Sequence, residues 1–126
     1  MTCVAAGEDG LIILGGKEGL RAYRLADGND AMLTLLWRTA TQGAAPFSLA
    51  IVGRSVVGSF PEKEHISVFS ITDGKEVGGI SGKEIPGGMR PTAISASGPW
   101  IVTVDEKNSR LIRLRTRMIS GAGAGS

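Results

Sequence analysis

Cysteine and histidine are nearly absent from this 126-residue chain, which has only Cys3 and His65 of these two types. A single thiol cannot form a disulfide within the chain, and this pair cannot provide the ligand spacing of a zinc site. We therefore predict neither a metal nor a cofactor. The lone thiol fits a reducing compartment, so we expect an intracellular protein, cytoplasmic or nuclear. Cys3 lies in an apolar segment and is predicted to be a buried, small hydrophobic side chain.

Long hydrophobic runs and a large charge excess are also missing. No run of about 18 apolar residues is present, so we predict no membrane-spanning helix. The N-terminal residues lack a basic segment followed by an apolar one, and we therefore expect no signal peptide. The formal net charge is +2, which is too small to indicate a nucleic acid or a membrane surface as a partner.

Glycine, by contrast, is abundant, with 19 residues distributed between short apolar runs. Glycines in such positions indicate many turns, and many turns between apolar runs of four to seven residues indicate short β-strands. With 42% hydrophobic residues, the chain has enough apolar side chains for a packed core. We expect an all-β domain.

A strand-and-turn pattern recurs along the chain. It begins at Leu20, at Ile66 and, in a degraded form, at Ile112, so that both shifts are 46 residues. The first two copies end in an Asp-Gly turn, at Asp27 and Asp73, where the aspartate is predicted to bond its own backbone. Other anchors keep nearly the same period, namely Gly7, Gly53 and Gly98 at the ends of the first strands. Several anchors at one period indicate a true internal repeat.

A period near 45 residues with four short strands per unit is the pattern of a β-propeller blade. The chain resembles the WD40 type of propeller most, and the resemblance covers most of residues 2–117. The position of the family's tryptophan is occupied by Tyr23, Phe69 and Arg115, and the segment 15–19 resembles the family's glycine-rich turn between second and third strands. The Trp-Asp and Gly-His pairs of the family are absent, so quinoprotein-like and lactonase-like propellers remain open.

These patterns predict a propeller-like array of about three four-stranded antiparallel blades, part of a larger or completed propeller. The units are residues 1–44, 45–89 and 90–119, followed by a flexible tail over 120–126. Segment 31–39 could form a helix, but we predict a strand because the repeat requires one there. The third unit shows no convincing fourth strand. A two-layer sandwich is the alternative fold.

A blade inside an array is covered on both sides, so both faces of its central strands should be apolar. In the second unit, Ile66 and Val68 are predicted to share one face, and Phe69 and Ile71 the other. Tyr23 is expected to occupy the same core position as Phe69. Trp37 and Trp100 are also expected to pack in the core, with an interface role as the alternative.

The third unit carries a row of arginines at a spacing of two, Arg113, Arg115 and Arg117, which in a strand share one face. By the 46-residue shift, this face corresponds to that of Phe69 and Ile71. Buried guanidinium groups need partners, so the face is either exposed to solvent or covered by an acidic surface. We predict it to be the partner-binding site, extended by Arg110 and Arg90, with a charged edge that discourages strand pairing as the alternative.

The resemblance implies a non-catalytic protein-interaction platform or scaffold subunit, bound to a protein partner or to the remaining blades of the same propeller. The alternatives are a structural segment of a large assembly and a propeller enzyme of lactonase or dehydrogenase type. We predict no catalytic residues. His65 lies beside Glu62 and Glu64, but the sequence shows no set of residues positioned for catalysis around it. A local hydrogen bond at a strand edge is its expected role.

Overall fold

The computed structural model describes residues 3–7, 10–25, 33–41 and 43–115, which form eleven strands in three sheets. The first sheet contains β1 (Cys3–Ala6), β2 (Leu11–Gly16), β3 (Gly19–Leu25) and β4 (Leu33–Thr39). The middle sheet contains β5 (Ser48–Val52), β6 (Ser55–Phe60), β7 (His65–Ser70) and β8 (Glu76–Ser81). The third sheet contains β9 (Pro91–Ser97), β10 (Trp100–Asp105) and β11 (Arg110–Arg115). Short 3-10 helices follow β6, at Pro61–Lys63, and β8, at Gly82–Glu84.

Each sheet is an antiparallel meander in which every strand pairs with its neighbour along the sequence. The predicted all-β class is confirmed, and the segment that could have been a helix forms β4. The strands of the three sheets lie within the predicted units 1–44, 45–89 and 90–119. The tail 120–126 and the Asp27-Gly28 turn lie outside the described residues. The three sheets that the structure describes do not close into a ring.

The sheets stack through their first strands, since β1 contacts β5 and β5 contacts β9. Two hydrophobic clusters fill the spaces between the sheets. The cluster between the first and middle sheets includes Ile13, Leu20 and Phe69, and the one between the middle and third sheets includes Ile66 and Ile101. The middle sheet is therefore covered on both faces. The predicted placement of side chains on the two faces of β7 is confirmed. Ile66 and Val68 lie in one cluster, while Phe69 and Ile71 contact the other.

The register of the third unit differs from the predicted one by a single residue. Val57 pairs with Val68 in the middle sheet, and Val102 pairs with Arg113 in the third, so that both strands are displaced by 45 residues. The predicted displacement of 46 for β11 is therefore wrong. The loops explain the difference: residues 61–64 and 106–109 join these strands, whereas only residues 17–18 join β2 to β3.

A one-residue change of register moves every side chain of a strand to the opposite face. Leu114, not Arg115, occupies the position of Phe69, and it packs against the middle sheet. Arg113 corresponds to Val68, so the arginines face away from the middle sheet. The prediction that this face corresponds to Phe69 and Ile71 is wrong.

Trp37 ties the first sheet to the turn after β7. It is buried, as predicted, in the cluster between the first and middle sheets. Its indole Nε1 donates a hydrogen bond to the carbonyl of Ile71 at 2.9 Å. The Thr39 hydroxyl donates to the carbonyl of Gly74 at 2.6 Å. Gly74 has φ of 78°, and a Cβ there would lie 2.3 Å from the Trp37 ring, so only glycine fits. The predicted turn at Asp73 is confirmed, since its Oδ1 accepts from the backbone N–H of Lys75 at 3.0 Å.

Candidate interaction surfaces on the end sheets

Two arginines of β11 lie over the indole ring of Trp100 on the outer side of the third sheet. The guanidinium carbons of Arg113 and Arg115 are 4.1 Å and 4.8 Å from its centroid, within cation–π range. Their predicted sharing of one face is confirmed. Trp100 is half-buried and belongs to neither hydrophobic cluster, so the prediction that it packs in the core is wrong. Arg117 lies outside the described residues.

Apolar side chains accompany the arginines on this side of the sheet. Val102 pairs directly with Arg113, and Val104 pairs with Leu111, whose side chain is 71% exposed. We call this surface the third-sheet outer face; its residues are Trp100, Val102, Val104, Leu111, Arg113 and Arg115. Within the described part of the chain, no carboxylate forms an ion pair with Arg113 or Arg115. The face thus combines cationic and apolar groups, both available to a partner.

The carboxylate of Asp105, at the end of β10, is fully buried and accepts four hydrogen bonds. The donors are the backbone N–H groups of Arg90 and Lys107, Asn108 Nδ2 and Arg110 Nε, at 2.9–3.1 Å. Burial by itself raises the pKa of the Asp105 carboxyl, but these donors together outweigh it and hold that pKa well below its ordinary value. Asp105 therefore joins the loop before β9 to the β10–β11 hairpin.

Arg110 and Arg90, which were predicted to extend the arginine row, are engaged around this carboxylate instead. Arg110 Nη2 donates to the carbonyls of Pro86 and Gly88, at 2.8 Å and 3.1 Å, while its Nε binds Asp105. The Arg90 side chain forms an ion pair with Glu106 at 3.3 Å. Neither guanidinium joins those over Trp100. Because both are held by their own loop, they support the hairpin that carries Arg113 and Arg115.

The first sheet also exposes apolar side chains on the side that faces away from the middle sheet. Ile12 pairs with Tyr23, and Tyr23 with Leu35, which places these three residues on one face. Leu14, Arg21 and Arg38 pair across the same strands and lie on the same face. We call this the first-sheet outer face; its residues are Val4, Ile12, Leu14, Arg21, Tyr23, Leu33, Leu35 and Arg38. Val4 is 61% exposed and Leu35 45% exposed.

Tyr23 on this face is half-buried, whereas Phe69 is 2% exposed, so the two residues are not equally part of the core as predicted. The reason is that the first sheet covers Phe69, and among the described residues no sheet covers Tyr23. Arg21, also on this face, is ion-paired with Glu18 in the adjacent turn.

His65 forms the local hydrogen bond predicted for it. Its Nε2 is 2.7 Å from Ser67 Oγ, and its ring stacks on Phe60 with the centroids 5.6 Å apart. Both residues line a polar cleft of about 130 Å³ between the first and middle sheets. Among the described residues, no carboxylate is hydrogen-bonded to the ring, and no group of three or more His, Cys, Asp or Glu is placed to hold a metal. Glu76 lines the same cleft but is not hydrogen-bonded to the ring, so the described geometry shows no group that orients the imidazole as a base.

Cys3 is only half-buried, against the prediction of full burial, and its Sγ donates to the carbonyl of Pro46 at 3.5 Å. Burial raises the pKa of its thiol. In the part of the chain that the structure describes, no helix has the length and apolar character needed to cross a membrane.

No protein-family model matches the chain, and no curated protein matches it. Solved structures of two computationally designed proteins are similar. Ika4 superposes with a TM-score of 0.65 at 16% identity, over 89% of this chain and 63% of Ika4. Ika8 superposes with a TM-score of 0.64, also at 16% identity, over 89% of this chain and 32% of Ika8. The chain thus spans less than two thirds of either protein, and at this identity the likeness concerns the fold alone.

Proposed function

We propose that this chain is an arc of a β-propeller, with each sheet as one blade. The repeat near 45 residues and the contacts between successive first strands support this assignment, since propeller blades pack side by side around a central axis. The similarity to parts of two longer chains also supports it, because each of those chains extends beyond the segment that superposes on the three sheets. The WD40 subtype rests on the sequence resemblance alone.

We further propose that the arc acts as a non-catalytic protein-interaction module through its two end faces. One observation carries this proposal: the end sheets expose apolar residues at positions that are buried in the middle sheet. Leu111 is 71% exposed, whereas Ile66, which is 45 residues earlier in the same register, is completely buried. Exposed apolar patches with charged neighbours are typical of surfaces that bind protein.

The enzyme alternative has less support. A propeller hydrolase or dehydrogenase needs several histidines or carboxylates that converge on one cavity. Among the described residues, His65 is hydrogen-bonded to Ser67, Glu76 lines the same cleft without a hydrogen bond to the ring, and Asp105 is occupied by its own loop. A passive structural segment remains the alternative to a binding module, and the experiment below separates the two.

The third-sheet outer face could bind its partner mainly through apolar contacts or mainly through charge. Arg113 and Arg115 favour the second candidate, a partner with an acidic protein surface. A guanidinium can bind a carboxylate through two parallel hydrogen bonds, and stacking on Trp100 restricts the side chains before the partner arrives. Salt dependence separates the two candidates. Contacts between exposed charges weaken as the ionic strength rises, whereas apolar contacts do not.

We expect the double variant Arg113→Ser/Arg115→Ser to retain the fold and to bind an acidic partner about tenfold more weakly at low salt. The measurement is capture of partner proteins on immobilised parent and variant, at low and at high salt, with quantification of each captured protein. Arg54→Ser/Lys75→Ser removes the same charge from exposed turns of the middle sheet and serves as the control.

Equal capture by parent and double variant at low salt would contradict the acidic-partner candidate. If Leu111→Asp, on the same face, also leaves capture unchanged, the interaction module itself is wrong, and a passive structural segment is the better description.

A further inference from the structure

The two outer faces repeat, position by position, the two sides of the interface between adjacent sheets. On the third-sheet outer face, Val102 and Leu111 correspond to Val57 and Ile66 of the middle sheet, which pack against the third sheet. Ile13 and Leu20 are the corresponding residues of the first sheet, and they pack against the middle sheet. Two aliphatic positions that lead into the next sheet are thus conserved in chemical type across all three sheets.

The first-sheet outer face repeats the other side of the interface. Ile12 corresponds to Val56 of the middle sheet and Ile101 of the third, and Val4 corresponds to Leu49 and Ile94. In both of the other sheets these positions are buried against the preceding sheet. The first-sheet outer face therefore has the composition of a surface that receives a sheet of this type.

We propose that this surface receives the third-sheet outer face of a second copy of the chain, in a head-to-tail association. The inference rests on the proposed function, and it identifies the partner of both end faces as the chain itself. Two copies contribute six sheets, which lies in the range of four to eight blades found in propellers. A head-to-tail interface gives a closed ring when its rotation completes a circle, and two copies then share two equivalent interfaces.

Two residues of the outer faces differ in type from the residues at the corresponding positions of the interface between the middle and third sheets, and both differences support this pairing. Arg113 occupies the position of Val68, and Tyr23 occupies the position of Leu114; Val68 and Leu114 belong to the same cluster between the middle and third sheets. A head-to-tail contact would therefore place Arg113 of one copy and Tyr23 of the other in the same part of the interface, where a guanidinium and an aromatic ring attract each other. A cationic change on one face is matched by an aromatic change on the other.

Pairing of two identical faces is less favourable on electrostatic grounds. Two third-sheet outer faces would bring together Arg113 and Arg115 of both copies, and like charges in an interface oppose association. Such a pairing would also leave the first-sheet outer face exposed. The first-sheet outer face also carries two arginines, Arg21 and Arg38, but Arg21 is ion-paired with Glu18. The head-to-tail contact therefore brings together less uncompensated positive charge than the pairing of two third-sheet outer faces.

The test is the mass of the particle in solution, measured by light scattering on a sizing column with the full chain at about 1–100 μM, a range in which moderate affinities are visible. We expect the parent to have twice the mass of one chain. Leu111→Asp on the third sheet and Leu35→Asp on the first sheet should each give monomers, since each variant damages both interfaces of the ring. Val77→Asp is the matched control, because Val77 is 46% exposed on the middle sheet and belongs to neither outer face.

Mixing the two variants distinguishes a head-to-tail association from a face-to-face one. The mixture contains one intact interface, between the third sheet of the Leu35→Asp copy and the first sheet of the Leu111→Asp copy. We expect it to form dimers at concentrations where each variant alone is monomeric. Val104→Asp and Leu33→Asp, on the same two faces, replace any variant whose circular dichroism shows that it has not folded.

A parent that stays monomeric over the whole concentration range overturns the inference. So does a dimer that persists in Leu111→Asp, which would place the contact elsewhere. Either result leaves the proposed function standing if Leu111→Asp still weakens capture of a different protein. If the parent is monomeric and Leu111→Asp also leaves capture of other proteins unchanged, the proposed function is overturned as well.

Discussion

Asp105→Asn is expected to lower the free energy of unfolding by about 2–4 kcal/mol at pH 7. The substitution removes the negative charge opposite Arg110 and places an amide where the buried carboxylate accepts four hydrogen bonds. Breaking a fully buried ion pair costs about 3–5 kcal/mol, and we expect less because the Arg110 side chain is 40% exposed and can bind water. Urea unfolding followed by circular dichroism measures the change.

The effect should depend on pH in a defined direction. The folded-state pKa of Asp105 lies below its ordinary value, so the charged carboxylate stabilises the fold at every pH above the ordinary value of about 4. As the pH falls below about 4, the unfolded chain binds a proton more readily than the folded one, and this stabilisation is lost. The difference between parent and Asp105→Asn should therefore be constant from about pH 5 to 7 and shrink in more acidic solution.

Asp73→Asn provides the control for this experiment. Asp73 is exposed and accepts a hydrogen bond from the backbone N–H of Lys75, which asparagine can also accept. We expect a change below about 0.5 kcal/mol. If Asp105→Asn behaves like Asp73→Asn at pH 7, the carboxylate does not hold the hairpin and the loop together.

The strands and their stacking were predictable because both depend on local patterns. Short apolar runs between glycines specify strands, and the opposite placement of Ile66 and Phe69 follows from the alternation of side chains in any strand. The hydrogen bonds of Asp105 were not predictable in the same way. They join residues 90, 105, 107, 108 and 110, and the backbone donors among them carry no sequence signal.

The error at the third sheet has a specific physical cause. Ile112 and Leu111 are both aliphatic, so the sequence allows a displacement of either 46 or 45 residues from Ile66. Hydrogen-bond pairing with β10 selects 45, because the loop of residues 106–109 has the same length as that of residues 61–64. Once this hairpin register is known, it places Trp100 directly opposite Arg115.

Phe69→Ala is expected to lower the free energy of unfolding by about 3–5 kcal/mol, the usual range for removal of a buried phenylalanine. The ring is 2% exposed and lies in the cluster between the first and middle sheets. It also contacts Phe60, with the two centroids 6.4 Å apart in a tilted arrangement. Since β-sheets on both sides restrict collapse around the site, a cavity should remain after the substitution.

Tyr23→Ala, at the corresponding position of the first sheet, is the matched comparison. It separates the loss of a buried ring from a destabilisation that any alanine substitution at this strand position would cause. Tyr23 is half-buried, so its removal exposes little new surface, and we expect a loss of about 1–2 kcal/mol in the monomer. Urea unfolding of both variants, at concentrations where the chain is monomeric, gives the comparison. Equal losses at the two positions would mean that Tyr23 is covered as fully as Phe69, and a loss below about 1 kcal/mol for Phe69→Ala would remove that ring from the core. A Tyr23→Ala loss that grows with protein concentration would instead place the tyrosine within an interface between copies, where burial is completed by association.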